Sequence, residues 1–564
     1  MTARGQDRRV GQSAPAVLGR AWPTLRHAPL IVSGALRRFA EDPARGRAAL
    51  QRAIPRLAQR PRGGGSDDLT ELDRAVAEDR YADACALLAD VPVQDPRRAG
   101  ADLAVERLGG RLTQVSSAMA IDARGRRAVR RAAADLRRLG SPLPTWCAPA
   151  SRDAGAEAMA ARTSTAPRIL HVVTNSLPRV QAGSTIRTQR IAAAQRDMGW
   201  DSQVVTRPGY PVTRGEAWAA DLEFVDGVPY HRLLPTTMPD EGRMPEVYAR
   251  ELATLVDRLR PDVLHGASDP VNARAALEVG RRAGLPVAYE ARSFFEDTWL
   301  SRHGGDDTAD TYRLLRARHD EILHAADVVT TLGEAMRTEI ISRGVPAERV
   351  IVAPNAVPAA FLAPREVSPA GRRGALGLEP ADLWVGSLAT LNDDEGFDVL
   401  LEALALLRAD GLDARALLVG DGPARVSLRN LAEQRGVPTV MPGRVPMADV
   451  LPWYDALDVF AFPRHDTPLN RLVTGLKPVE AQARGIPVVG SDLPAVREVV
   501  APTARLTAPG DPGALSTALA ELVDPEVRRG EGAAAREWVG QTRTWPRVME
   551  AYRDAYSFGG ISAA

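Results

Sequence analysis

Cysteine is almost missing from this chain of 564 residues: only Cys85 and Cys147 occur. That excludes a disulfide framework and a cysteine-built metal site, and it makes a reducing cytoplasm the default. Long hydrophobic runs are missing too. No apolar stretch approaches the about 20 residues that a membrane span needs. The apolar run Pro29–Leu36 is too short for a secretory signal and is followed directly by Arg37 and Arg38. Lysine is scarcer than cysteine. Of 72 basic residues, 71 are arginine, and Lys477 is the single lysine. A genome of high G+C content converts lysine to arginine wherever a surface charge suffices. The position that keeps lysine is therefore a candidate for a site needing a compact ammonium, with chance survival as the alternative.

What remains is ordinary. The chain is 45% hydrophobic and 25% charged, which excludes wholesale disorder and fibrous repeats. Its length allows about three to four domains. The net charge of +1 conceals an asymmetry: residues 1–62 hold 13 arginines against Asp7, Glu41 and Asp42, a net of +10, which leaves −9 for the remainder. Such an end suits an anionic partner, a membrane surface or nucleic acid, or is simply a solvated tail. The expectation is an anionic membrane surface and no nucleic acid.

The spacing of apolar residues divides the chain into a basic arm (1–66), an all-α module (67–150), two α/β domains (168–360 and 370–540) and a C-terminal helix and tail (541–564). Arg62–Asp68 reads as a flexible joint. Leu69, Leu72, Val76 and Ala77 form one helical stripe and Ala84, Leu87 and Leu88 another, in a module of three or four helices. From Arg168 onward short runs of Val, Ile and Leu alternate with helical segments, the mark of parallel strands buried on both faces. Strands are expected at Ile169–Thr174, Ser202–Thr206, Val263–Ala267, Val287–Ala291, Val328–Leu332 and Val350–Ala353. After a hinge at Asn355–Pro369 they follow at Leu383–Leu388, Ala416–Val419, Thr439–Met441, Val459–Phe462 and Val488–Gly490. The fold class is thus α/β, with two facing doubly wound domains, and ligands belong at the carboxyl ends of the strands.

Four features sit at such ends. Gln181-Ala182-Gly183-Ser184 leads into a helix bearing Arg187 and Arg190, and its free N–H groups suit an anion or a sugar hydroxyl. His265 lies on a strand, as a core residue or a catalyst. Glu290 and Arg292 share one strand face, where they meet a ligand or pair with each other. The fourth is Phe462-Pro463-Arg464-His465-Asp466 with the run Leu476–Val489. Pro478 suits a first helical turn, Gly485 suits the residue that ends the helix, and Lys477 precedes Glu480 by three positions. Lys477 at the positive end of that helix calls for an anion such as a diphosphate. Glu480 can accept from the two vicinal hydroxyls of a ribose, or act as a helix cap.

Residues 168–556 resemble the retaining, nucleotide-sugar-dependent glycosyltransferases of family 4, which have the GT-B fold. The resemblance rests on Gly386-Ser387-Leu388 with Glu395–Asp398, on Val419-Gly420-Asp421-Gly422-Pro423, on Pro442-Gly443-Arg444-Val445, on Ala353–Val357 and on Lys477–Val489. It implies a donor site in the second domain, formed by Glu480, Ser387, Gly422, Arg444, Val445, Arg464 and Arg471. It implies an acceptor site in the first, formed by Gly183, Ser184, Arg187 and Glu290. Lys477, His265 and Arg292 are the catalytic candidates. The chain departs from the family at three places. Leu472 stands where the first of two glutamates is usual. Ser387 and Glu395 stand where an Arg and Lys hold the donor phosphates. Ala267 stands for the second member of a His-x-His pair. Lys477, with help from Arg464 or Arg471, is expected to supply the phosphate charge.

The reading is a glycosyltransferase that moves a sugar from a nucleoside-diphosphate donor to a cell-envelope glycan, glycolipid or small molecule with retention, by front-face attack assisted by the leaving phosphate. No metal and no cofactor are expected, since the nucleotide sugar is a substrate. The expected location is cytoplasmic, with residues 1–62 meeting the inner face of the membrane. The rival readings are a non-catalytic GT-B scaffold and a GT-B-like sugar-nucleotide epimerase or hydrolase.

Overall fold

The computed structural model describes residues 30, 33, 68–147 and 166–558, apart from residues 215, 217–218, 239–242 and 304–305. Most of the basic arm, most of the joint at Arg62–Asp68 and most of the 148–167 loop lie outside the described residues. The chain divides into two compact units, Met1–Arg138 with Val204–Leu259, and Leu139–Gln203 with Arg260–Ala564. Among the described residues no helix is long and apolar enough to cross a membrane.

In the first unit, the module is built from five helices rather than three or four: Asp68–Ala77, Tyr81–Asp90, Arg98–Leu108, Leu112–Ser117 and Ala123–Gly140. The stripe Leu69, Leu72, Val76 and Ala77 is buried, as is Ala84 of the second stripe. The fifth helix is tied to the first by Arg124, whose Nε and Nη2 donate to the Asp73 carboxylate at 2.7 and 2.8 Å. The same unit contains strand pairings of β2 (Asp201–Thr206), β3 (Leu222–Val225) and β4 (Val228–Arg232), with β2 parallel and β3 antiparallel to β4. Asp226 and Gly227 turn the β3–β4 hairpin at φ 46° and 78°, the two positive φ values that a tight hairpin turn demands. Leu30 is buried against Val212 and Ala219, and the Met238 N–H donates to Ser33 Oγ at 3.0 Å.

The second unit holds two parallel sheets. One contains β1 (Arg168–Val173), β5 (Val263–Ala267), β6 (Val287–Ala291), β7 (Val328–Thr331) and β8 (Val350–Val352), paired side by side in that order. The other has β9 (Leu383–Leu388), β10 (Ala414–Val419), β11 (Thr439–Gly443), β12 (Val459–Phe462), β13 (Val488–Ser491) and β14 (Arg505–Thr507), in the order β11-β10-β9-β12-β13-β14. This is the doubly wound order, with its switch point between β9 and β12, where such sheets bind ligands. The inner strands of both sheets are almost wholly buried, which is why runs rich in Val, Ile and Leu encode them, while β8, β11 and β14 at the sheet edges are only partly buried. Gly386 is required here: a Cβ on it would lie 1.9 Å from the Leu417 carbonyl oxygen of β10. The chain returns to the first sheet at its end. Trp545, Val548, Met549, Tyr552 and Tyr556 of the Trp545–Phe558 helix pack into one core with Ile169, Val263, Ala288 and Val328.

Candidate functional site

The carboxyl-end loops of the two parallel sheets in the second unit meet. Gln181 Nε2 donates to the Val445 carbonyl at 3.1 Å, and Asn355 Nδ2 approaches Thr474 O and Oγ1 at 3.5 Å. At the centre of this contact stands Glu480. It lies in a helix of seven residues, Lys477–Ala483, closed by Gly485 at φ 69°. Lys477 Nζ donates to Glu480 Oε2 at 2.8 Å, Tyr454 OH donates to the same oxygen at 2.6 Å, and Arg190 Nη2 donates to Oε1 at 2.7 Å. Burial pushes this carboxyl up, but Lys477 and Arg190 outweigh it and hold it at about 2. Tyr454 is pushed well above its ordinary value by burial and by the Glu480 charge, so it stays a donor. A helix of under two turns with a proline as its second residue offers an anion little of its own. The positive charge at its start is therefore the Lys477 ammonium, with its side chain 28% exposed over the buried carboxylate.

Around this centre the remaining donor-side candidates divide. Arg464 is stacked on Phe462 at 4.3 Å and engaged by the Glu395 carboxylate at 3.2 Å and the Val473 carbonyl at 2.8 Å. Arg471 is exposed and paired with Asp466 at 2.8 Å. Neither points a free guanidinium at Lys477, in contrast to the help expected of them. Gly422 presses on the Leu391 backbone, where a Cβ would come within 2.3 Å of the carbonyl oxygen, so it shapes the loop after β10. Ser387 is buried on β9 with its hydroxyl unpartnered. Arg444 projects into solvent beside Val445, 3.9 Å from Asp421.

On the first-sheet side, Gly183 and Ser184 are exposed at the start of the Gly183–Asp197 helix. The other candidates are not. Glu290 accepts from Arg187 Nε at 2.8 Å and Tyr552 OH at 2.9 Å through Oε1, and from Arg292 Nε at 2.9 Å through Oε2. Arg187 also donates to the carbonyls of Pro354 and Ala353, and Arg292 to the Ser184 carbonyl. His265 Nδ1 meets Tyr556 OH at 2.7 Å, its ring lies 4.7 Å from that of His171, and it is fully buried. Burial and the neighbouring His171 push His265 well below its ordinary value, against the pull of Glu290. His265, Arg292, Arg187 and Glu290 thus form one buried network with the C-terminal helix. Of the two alternatives open for Glu290 and Arg292, mutual pairing is what the geometry shows.

Two matches place this architecture. Residues 182–356 match the model of the glycosyl transferase 4-like domain, and residues 379–525 that of the glycosyl transferases group 1. The GDP-mannose-dependent alpha-(1-6)-phosphatidylinositol monomannoside mannosyltransferase of Mycobacterium tuberculosis is 31% identical over 45% of this chain and 68% of its own length. The chain belongs to the group 1 glycosyltransferases. The monoacylated-substrate counterpart from Corynebacterium glutamicum, a GDP-mannose-dependent mannosyltransferase, is 35% identical over 32% of this chain and 48% of its own. The chain spans about half to two thirds of the first such relatives it matches. Among solved structures, the sucrose-phosphate synthase of Thermosynechococcus elongatus superposes with a TM-score of 0.57 at 20% identity, over 69% of this chain and 99% of that one. The fold is therefore GT-B. In this glycosyltransferase the sequence pattern marked Lys477 and Glu480. It showed Arg190 only as a basic residue on a helix and gave no sign of Tyr454; they reach Glu480 from 290 and 26 positions away.

Proposed function

We propose that this protein transfers a sugar from a nucleoside-diphosphate donor to an acceptor hydroxyl with retained anomeric configuration. The observation that carries the reading is the Lys477–Glu480 pair, an ammonium over a buried, ionised carboxylate at the carboxyl end of a doubly wound sheet. Lys477 turns to the diphosphate and Glu480 accepts from the ribose hydroxyls. The bond from the anomeric carbon to the diphosphate oxygen breaks, and the acceptor oxygen forms the new bond on the same face. The acceptor proton passes to the departing phosphate oxygen. Charge building on that phosphate is met by a preorganised cation. The names of the mannosyltransferase relatives point toward GDP-mannose as donor and a phosphatidylinositol-linked acceptor. Incubation with a panel of nucleotide sugars tests this. Release of nucleoside diphosphate that depends on an acceptor, with product retention read by NMR, is expected. Donor binding without any turnover would favour a non-catalytic scaffold instead.

If Glu480 holds the ribose, Glu480→Gln keeps the shape but replaces a charged acceptor with a neutral one. Hydrogen bonds to charged groups contribute about 1.5–3 kcal/mol, so donor affinity should fall roughly 10- to 150-fold. Unchanged affinity in calorimetry, with the fold intact, would remove Glu480 from the donor site.

The acceptor reading joins a second proposal, that the N-terminal part rests on an anionic membrane surface. The net +10 of residues 1–62 supports it. So do Arg127, Arg130 and Arg137 of the Ala123–Gly140 helix, for which no ion pair is found among the described residues. Leu30 is buried within its own unit, so this side chain is not free to meet a membrane. Each basic residue near such a surface contributes about 1 kcal/mol, screened by salt. The full chain should co-sediment with phosphatidylserine vesicles in a salt-dependent way, and a chain beginning at Gly63 less so. Equal pelleting of both, or indifference to salt, rules this out.

A further inference from the structure

Arg190 lies two turns into the Gly183–Asp197 helix, on the first-sheet side, and ends on a carboxylate of the second. The pair is 2.7 Å long, and the side chains are 6% and 1% exposed. Among the described residues the Arg190 Nε and Nη1 groups have no hydrogen-bond partner, and the guanidinium faces the Phe361 ring at 5.5 Å. A residue kept for stability alone would satisfy more of its donors, because buried unpaired N–H groups are costly. Buried ion pairs are also weak sources of stability compared with apolar packing. Arg190 is held for its single carboxylate contact.

The acceptor capacity of Glu480 shows what that contact is for. An ionised carboxylate has about four acceptor positions. Three are filled here, by Arg190 on Oε1 and by Tyr454 and Lys477 on Oε2. When Lys477 moves to a diphosphate, its position opens beside the one already vacant. That leaves two acceptor positions for two vicinal hydroxyls, with Arg190 and Tyr454 still fixing the carboxylate.

We propose that Arg190 is a positioning residue for the sugar-nucleotide donor: from the opposite sheet, it keeps Glu480 ionised and aimed at the ribose once Lys477 has left for the diphosphate. This rests on the donor reading of Lys477 and Glu480 given above. It makes donor binding depend on the first-sheet half being in place. The charged and titratable groups facing Glu480 are Lys477 on its own helix, Tyr454 on the Leu451–Asp455 helix and Arg190 on the Gly183–Asp197 helix. In the donor complex Arg190 is the one cation of these three groups still on the carboxylate. Without it, only hydrogen bonds from Tyr454 and the ribose oppose burial in the complex, and the proton affinity of Glu480 rises. Lys477 holds the carboxylate ionised before the donor binds, so R190Q takes up a proton on binding, and its donor affinity gains on that of the wild type as pH falls.

Calorimetry with GDP-mannose and UDP-glucose at pH 5, 6, 7 and 8 tests this, because neither diphosphate diester titrates in that range. Wild type, R190Q and R190K are compared, with thermal melting of each. R190Q is expected to bind about 10-fold more weakly at pH 8, the low end for one charged hydrogen bond. The ratio of wild-type to R190Q affinity should then narrow toward one as pH falls below the raised pKa of the complex. R190K should keep a constant ratio. If R190Q fails to fold, the double variant R190Q/E480Q removes the stranded carboxylate and is expected to fold and bind weakly with a ratio independent of pH. A ratio for R190Q that stays at one, or stays constant from pH 5 to 8, overturns the proposal, as does a pH-dependent ratio in the double variant. A wild type that binds neither sugar nucleotide overturns the donor reading and this proposal with it.

Discussion

Lys477→Ala is expected to lower kcat by about 10²–10³, the scale of losing one electrostatic donor aimed at developing charge. Negative charge grows on the diphosphate as the anomeric bond opens, so the ammonium contributes more in the transition state than in the ground state. Lys477 rests on Glu480 at 2.8 Å with part of its side chain in solvent. It can exchange that partner for a phosphate without uncovering a buried cation. Lys477→Arg keeps the charge but brings a larger planar head, and should recover only part of the loss. If Lys477 is simply a surface ion pair, both variants keep near-normal turnover and stability within about 0.5 kcal/mol. The kcat values of the two variants separate these readings.

Glu290→Ala is expected to destabilise the protein by about 3–5 kcal/mol, the range for removing one partner of a buried ion pair. The carboxylate is fully buried and accepts from Arg187, Arg292 and Tyr552. Burial pushes it up, yet the two guanidinium groups hold it well below the usual carboxylate range. Its loss strands Arg187 and Arg292, which are 3% and 7% exposed. It also removes an anchor of the C-terminal helix, since Tyr552 donates to the same oxygen as Arg187. Glu290→Gln keeps the shape and should cost less. An acceptor-contacting Glu290 predicts the reverse pattern, with acceptor KM raised and denaturant midpoint unchanged. Urea denaturation of the two variants, alongside acceptor KM, decides between them.

Most strands of both parallel sheets were legible because strands buried on both faces are largely apolar, as Val459–Phe462 is at every position. The β3–β4 hairpin was missed although its Asp226-Gly227 turn is a strong local signal. β3 is largely exposed, and its mixture of Leu, Glu, Phe and Val lacks a buried strand's run. β14, at the sheet edge, has three residues, too few to show a period. One helix was expected over 307–325. The chain forms Phe295–His303 and Asp310–Ala325, and the first carries too many polar residues to announce itself.

At the site, Lys477 and Glu480 were legible because their spacing of three places both on one helix face. Arg190 was visible only as a basic residue on a helix, since no local pattern encodes a contact 290 positions away. His265 and Arg292 looked chemical for the same reason that buried networks do. Both are polar groups at apolar strand ends, and the sequence does not show that Tyr556 meets Nδ1 of His265 or that Glu290 pairs with Arg292.

The most direct test is a crystal structure of the protein with a bound sugar nucleotide. The expected complex has Lys477 Nζ moved from Glu480 to a diphosphate oxygen, the ribose hydroxyls on the Glu480 carboxylate, and Arg190 still on Oε1. A sugar nucleotide bound elsewhere, with Lys477 and Glu480 still paired at 2.8 Å, would contradict the assignment.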